Sequence, residues 1–292
     1  MKYLLIYNPV SGRSNNRINK IGKCVFELGK EGDVITVYQT AGKGDGARYM
    51  WDNDIDKYDV VIVCGGDGTL HEIVDGAIKC GYKGNLGYIP FGSTNDYARA
   101  LGINSTNAIK VILEGNVNKL DLGILNSEHF NYVAAFGCFT DITYTTPQVM
   151  KNGIGYLAYL LESVKALKDI KPIHIKCKTD NDEIDDDIIV GLVTNALSVG
   201  GMRIKAIRAK LDDGKLEYVF IKYPNNLIDL QNTLLALVNN KLTDRYMYYG
   251  HSSSFIIDSD EIDWNLDGEN GGKSTHAEIS VLPRTLSILS SR

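Results

Sequence analysis

"VVIVCGGDGTLHEIVDG", residues 60–76, runs from an unbroken apolar stretch into two glycines, an aspartate, a third glycine and a threonine, and then into a different spacing. The Val/Ile run reads as a strand buried on both faces, the pattern of a parallel sheet. Leu70, Ile73, Val74 and Ala77 recur at three- and four-residue intervals and predict a helix. Between them, Gly65, Gly66, Asp67, Gly68 and Thr69 form a loop at a helix N-terminus. Phosphate oxygens need backbone N–H donors at close range, and glycine leaves that approach open. The free amides and partial positive charge of the helix start add to it. Asp67 repels phosphate, so its presence needs another reason. It holds Mg²⁺, orders the loop, takes a proton from an attacking hydroxyl, or simply caps the helix.

Two further loops have the same texture. "YNPVSGRS" places Asn8, Ser11 and Gly12 after the first apolar run, and "PFGSTNDYARAL" places Gly92, Ser93, Thr94, Asn95 and Asp96 after the fourth. Either alone reads as an ordinary turn or cap. Three at the carboxyl ends of strands in one sheet point to a nucleotide site. A fourth glycine stretch, "TAGKGDGA", matches G-x-G-x-x-A at Gly42, Gly44 and Ala47, but it follows the second strand and lacks the acidic residue a dinucleotide site requires. It reads as a helix entry.

Through about residue 120, β-rich runs at 3–8, 33–39, 59–65 and 85–90 alternate with helical patterns, including Ile18, Ile21, Val25 and Leu28. Such alternation predicts an α/β domain with a parallel sheet and helices on both faces, three layers in all. Beyond that point strand-like runs follow one another: "KLDLGILN", "FNYVAAFG", "PIHIKCKT", "DDIIVGLVTN", "KLEYVFIKY", "RYMYYGHSSSFIID", "EIDWNLDG" and "HAEISVL". They predict a mostly antiparallel β domain over 121–283, interrupted by helices at 154–170 and 225–240, with residues 284–292 packing back on the first domain.

The chain has 292 residues, 44% hydrophobic and 23% charged, values of a folded globular protein. A net charge of −5 argues against nucleic acid as a partner. Five cysteines without a C-x-x-C pair read as reduced thiols of a cytoplasmic protein. The N-terminus lacks signal-peptide features, and no window approaches the roughly 18 apolar residues of a membrane span. The five histidines show no metal-ligand spacing.

Two acidic groups outside the glycine loops carry possible chemistry. "WNLDGENGG" sets Asp267 and Glu269 either side of a glycine, where strand alternation would point both the same way. "AKLDDGKLEYV" carries Asp212 and Asp213 beside Gly214, which without a metal reads as a type I′ hairpin turn at 213–214.

N-P-x-S-G at 8–12, G-G-D-G-T at 65–69, P-x-G-[ST]-x-N-D at 90–96 and D-G-E at 267–269, in this order and spacing, resemble the diacylglycerol kinase catalytic-domain family, which includes bacterial lipid kinases and, more distantly, sphingosine kinases. The third motif departs from the family's usual threonine at Ser93, keeping a hydroxyl. The resemblance implies an α/β nucleotide domain followed by a β-sandwich, with ATP between them. It implies γ-phosphoryl transfer to the hydroxyl of diacylglycerol or a similar lipid alcohol. It makes Asp267 and Glu269 catalytic, although in sphingosine kinases the aspartate matching Asp67 is favoured as base. It also implies a structural Mg²⁺ on Asp213 and the Lys210 and Lys215 carbonyls, with Asp121 linking that site toward the active centre.

Such an enzyme would work peripherally at the inner face of a membrane, and a homodimer is compatible with the sequence. The stretch 199–211, with Arg203, Lys205, Arg208 and Lys210 among Met202, Ile204 and Ile207, suits an anionic surface. The helix at 154–170 reads as core or as the wall of an acyl groove. The competing readings are a kinase of a soluble substrate such as NAD, and a nucleotide-binding regulator without catalysis.

Overall fold

The computed structural model describes residues 1–12, 17–29, 32–137, 171–196, 198–199, 202–203, 209–239 and 241–291. The expected helix at 154–170, Cys138, and Lys205 and Arg208 of the basic stretch lie outside the described residues. By its contacts the chain divides into two compact units, Met1–Leu120 with Arg284–Arg292, and Asp121–Pro283.

The first unit alternates β1 (Lys2–Tyr7), α1 (Arg17–Gly29), β2 (Val34–Gln39), α2 (Asp45–Asp52), β3 (Val60–Gly65), α3 (Asp67–Cys80), β4 (Asn85–Pro90), α4 (Asp96–Ala100) and α5 (Ala108–Glu114). The strands run in the order β2-β1-β3-β4, and each pair is parallel, with Leu5 opposite Ile62 and Val63 opposite Tyr88. All six residues of β3 are buried, which is why its sequence shows no alternation. Parallel neighbours bring every strand's carboxyl end to one edge, and the glycine loops leave from that edge. On α1 the buried stripe is Ile21, Cys24 and Leu28; Ile18, in its first turn, is exposed. Residues 284–292 return to this unit. Ile288 pairs in parallel with Leu86, Ser290 N–H donates to the Asn116 carbonyl, and Ser291 N–H to that of Leu101.

The second unit carries β6 (Glu128–Phe130), β7 (Val133–Gly137), β8 (Ile173–Lys178), β9 (Glu183–Thr194), the short pair β10 (Ser198–Val199) and β11 (Met202–Arg203), β12 (Leu216–Lys222), α6 (Leu227–Val238), β13 (Met247–Ser252) and β14 (Ser254–Leu266), together with the later part of β5 (Val117–Leu125) and the earlier part of β15 (Glu269–Leu289), two strands that run through the division between the units. Its pairings are antiparallel, and β7 and β8 each bond to both β9 and β14. Alternation on β12 sends Leu216, Tyr218 and Phe220 into one cluster and Val219 and Ile221 into another, against Leu230 and Leu234 of α6. β12 is therefore buried on both faces.

The stretch 245–258, expected as one strand, is two. It breaks at Ser253, whose N–H donates to Asp180 Oδ2 at 2.7 Å, while Ser252 Oγ accepts the Asp180 N–H at 2.9 Å. These serine contacts, led by the Ser253 amide, hold the Asp180 carboxyl below its ordinary range against the opposing effect of burial. Beyond the break, the run expected at 261–268 is continuous with 254–258 as β14.

Candidate active site

Three loops of the first unit meet at the carboxyl edge of its sheet. Asn8 Nδ2 donates to Thr69 Oγ1 at 3.1 Å, and Ser11 Oγ lies 3.4 Å from the same hydroxyl. Asn8 Oδ1 accepts the Val10 N–H at 3.0 Å and so closes its own turn. Thr69 is buried at the start of α3 and joins the 8–12 loop to the 65–69 loop. Gly12 has φ +68°, and a Cβ there would sit 1.8 Å from the Phe91 carbonyl oxygen. A Cβ on Gly92 would sit 2.8 Å from the Gly66 Cα. Glycine at these positions lets three backbones approach as closely as a phosphate cradle requires.

Gly12→Ala meets both the positive φ and the Phe91 carbonyl, a cost of about 2 kcal/mol or more. It is expected to lower Tm by at least about 4 °C, read by circular dichroism.

Asp67 is the first residue of α3, preceded by Gly66 without a side-chain cap, so the helix-cap reading does not hold. Its Oδ2 accepts the Asp96 N–H at 3.1 Å, tying the 65–69 loop to the 92–96 loop. Asp96 is buried and pairs with Arg99 at 3.3 Å. Asn95 stands at φ 51° with its Nδ2 on the Gly92 carbonyl at 2.7 Å, which curls this loop back toward Gly66. Ser93 is exposed and Thr94 half-buried at its crest. The "TAGKGDGA" stretch is a helix entry, as its sequence reads. Gly44 is the left-handed cap of α2, and its N–H donates to Glu72 Oε1 at 2.9 Å.

In the second unit, Asp267 and Gly268 form the turn between β14 and β15, at φ 54° and 92°, with Leu266 opposite Glu269. Two consecutive positive φ values define a type I′ hairpin. Asp267 thus sits in the turn itself and only Glu269 on a strand, so strand alternation is not what sets the relation of the two carboxylates. Asp267 is buried, and its carboxylate accepts three backbone N–H groups: Asn131 at 2.6 Å, Tyr132 at 2.9 Å and Val133 at 3.0 Å. Tyr132 Oη closes the circuit on the Asp267 carbonyl at 3.2 Å. Glu269, the first residue of β15, is half-buried.

Asp121 is fully buried, and its Oδ2 accepts the Gly214 N–H at 2.6 Å; its own N–H donates to the Leu211 carbonyl and its carbonyl accepts Asn195 Nδ2. It thus fixes the 211–214 turn from beneath. Gly214 alone in that turn has a positive φ, so the type I′ hairpin expected at 213–214 does not form there. Asp213 and Lys210 are exposed, Lys215 is half-buried, and Asp213 Oδ1 accepts the Lys215 N–H at 3.2 Å. No three His, Cys, Asp or Glu side chains converge on a shared point among the described residues. Next to this turn, however, Glu217 is 7% exposed and its Oε2 has no hydrogen-bond partner among the described residues. Burial first, and then the charge of Asp213, push its carboxyl up to about 8. A hard cation takes carboxylate and carbonyl oxygens, and the orphaned Glu217 oxygen is a donor of that kind.

A folded value of about 8 against an ordinary 4.5 means that Glu217 stability is complete below pH 4.5 and is lost as pH rises through 8. With a chelator present, the wild type is expected to lose a few kcal/mol between about pH 5 and 9, and Glu217→Gln to lose much less. Thermal melts at the two pH values check this.

Sequence reasoning missed the structural weight of Asp96, Glu217 and Tyr88. Asp96 stood inside a quoted motif, and Glu217 stood within an apolar strand, which was its available signal.

A model of the diacylglycerol kinase catalytic domain matches residues 2–125. Among curated proteins, "Diacylglycerol kinase" of Bacillus subtilis (strain 168) is 30% identical over 272 residues, 92% of this chain and 89% of that protein. The protein of that name from Staphylococcus saprophyticus is 31% identical over 273 residues, again 92% and 89%. A diacylglycerol kinase of Bacillus anthracis str. Sterne superposes with a TM-score of 0.76 at 23% identity, covering 99% of this chain and 97% of the other. A second crystal structure from that organism gives 0.84 at the same identity and coverage. These likenesses support the α-and-β fold, and the sequence identities place the chain in a class of phosphotransferases of the lipid-kinase type. The chain belongs to the diacylglycerol kinase catalytic-domain family. No helix among the described residues is long and apolar enough to cross a membrane.

Proposed function

We propose that this protein transfers the γ-phosphoryl group of ATP to the hydroxyl of diacylglycerol or a similar lipid alcohol. The observation that carries the reading is the joining of three glycine-bearing loops through Thr69, Gly12 and Asp67 at the carboxyl edge of the parallel strands. In this reading Asn8, Ser11, Gly12, residues 65–69 and residues 92–95 receive the nucleotide. Backbone amides take phosphate oxygens, and the α3 N-terminus adds its partial positive charge.

An alcohol attacks phosphorus poorly until its proton has somewhere to go, so a carboxylate must lie within reach. Asp267 is committed to three amides, which leaves Glu269 as the general base. Asp67 organises the loops, as its bond to Asp96 supports, and holds the catalytic Mg²⁺. Bound Mg²⁺ spreads the charge of the transferring phosphate. A second Mg²⁺ would be held by Asp213 with the Lys210 and Lys215 carbonyls, and Asp121 sets the turn that carries it. The fold suited to this work is a three-layer α/β unit followed by a β-sandwich unit, acting peripherally at the inner face of a membrane.

The test is ATP consumption with Mg²⁺ in mixed micelles carrying diacylglycerol, other lipid alcohols or none, with NAD in parallel. Phosphate on a lipid, dependent on micelles, is expected. Turnover on NAD alone, or nucleotide binding with no turnover, would overturn the reading.

A further inference from the structure

Tyr88 lies on β4 opposite Val63, two residues before the strand ends at Pro90 and hands over to the 91–96 loop. It is 0% exposed, and its hydroxyl has no hydrogen-bond partner among the described residues. A buried phenol left so is destabilising relative to phenylalanine in the same place. Burial first, then the carboxylates of Asp67 and Asp96 and the thiol of Cys64, raise its pKa well above the usual tyrosine range. The hydroxyl is thus a buried donor with no acceptor among the described residues, and the charges of Asp67 and Asp96, whose carboxylate-to-amide bond ties the two loops together, act on it.

We propose that Tyr88 is a positioning residue of the phosphoryl-transfer site, whose hydroxyl donates to the Asp67–Asp96 carboxylate pair when the loops engage nucleotide. The inference rests on the kinase reading above. It acts through Asp67, which in that reading would hold the metal. Loss of the donor therefore weakens the transition state more than it weakens ATP binding.

The experiment is Tyr88→Phe, which keeps the ring and removes only the hydroxyl. A group without a partner at rest contributes nothing to the melt, so Tm is expected to stay the same or rise. The kcat is expected to fall on the order of tenfold, the effect of one hydrogen bond to a charged group, with KM for ATP nearly unchanged. A kcat within about twofold of wild type overturns the inference and leaves the kinase reading intact. A Tm lowered by several degrees also overturns it, because the hydroxyl would then have a structural partner. If the wild type itself phosphorylates no lipid alcohol, the kinase reading fails and this inference fails with it.

Discussion

Glu269→Gln is expected to lower kcat by roughly 10²–10⁴-fold, the range that removal of a general base produces. The fold should survive the change. Glu269 is half-buried at the first position of β15, and glutamine keeps its size and its reach while losing the ability to accept a proton. KM for ATP should move little, since in the proposed reading the nucleotide is received by the loops at 8–12, 65–69 and 92–95, none of which holds Glu269. Initial rates on lipid micelles, together with a melt to confirm folding, check it. An active Glu269→Gln would return the base to Asp67, and Asp67→Asn would then be the decisive variant.

Asp267→Ala is expected to act on stability, with activity lost only as a consequence. Removing the side chain strands three backbone N–H groups at Asn131, Tyr132 and Val133 that have no water to turn to, since Asn131, Tyr132, Val133 and Asp267 are all buried. Each such group costs about 1–3 kcal/mol, so a total of roughly 3–9 kcal/mol is expected. The turn residue change adds to it, because alanine tolerates φ 54° less well than aspartate. For a chain of this size the shift in Tm should be about 10 °C or more. Denaturant titration of the variant beside Glu269→Gln separates the two roles of a motif that reads as one acidic pair.

Residues 60–76 made the parallel strand and the turn into α3 legible, because a strand buried on both faces must be apolar at every position and a loop that other backbones approach closely must be glycine-rich. The interlocking of the loops was only half legible. Gly12 and Gly92 announce close approach, but which backbone comes close, Phe91 in one case and Gly66 in the other, depends on partners about 80 and 26 residues away. D-G dipeptides stand at both 213–214 and 267–268, and the type I′ turn forms at the second. Local sequence does not separate them. What decides is the set of amides at 131–133 that meets Asp267, against the single Gly214 amide that turns toward Asp121. Tyr88 was illegible for the opposite reason, since a tyrosine in an apolar strand looks like core, and only the nearness of Asp67 and Asp96 marks it.

The return of residues 284–292 to the first unit makes the second unit an insertion in the first. A ribosome releasing this chain delivers β1 to β4 early, but Ile288, the partner of Leu86, emerges only after every strand of the insertion has been made. The first unit thus waits for residues 284–292 before this pairing can form, while the inserted unit has all its residues earlier.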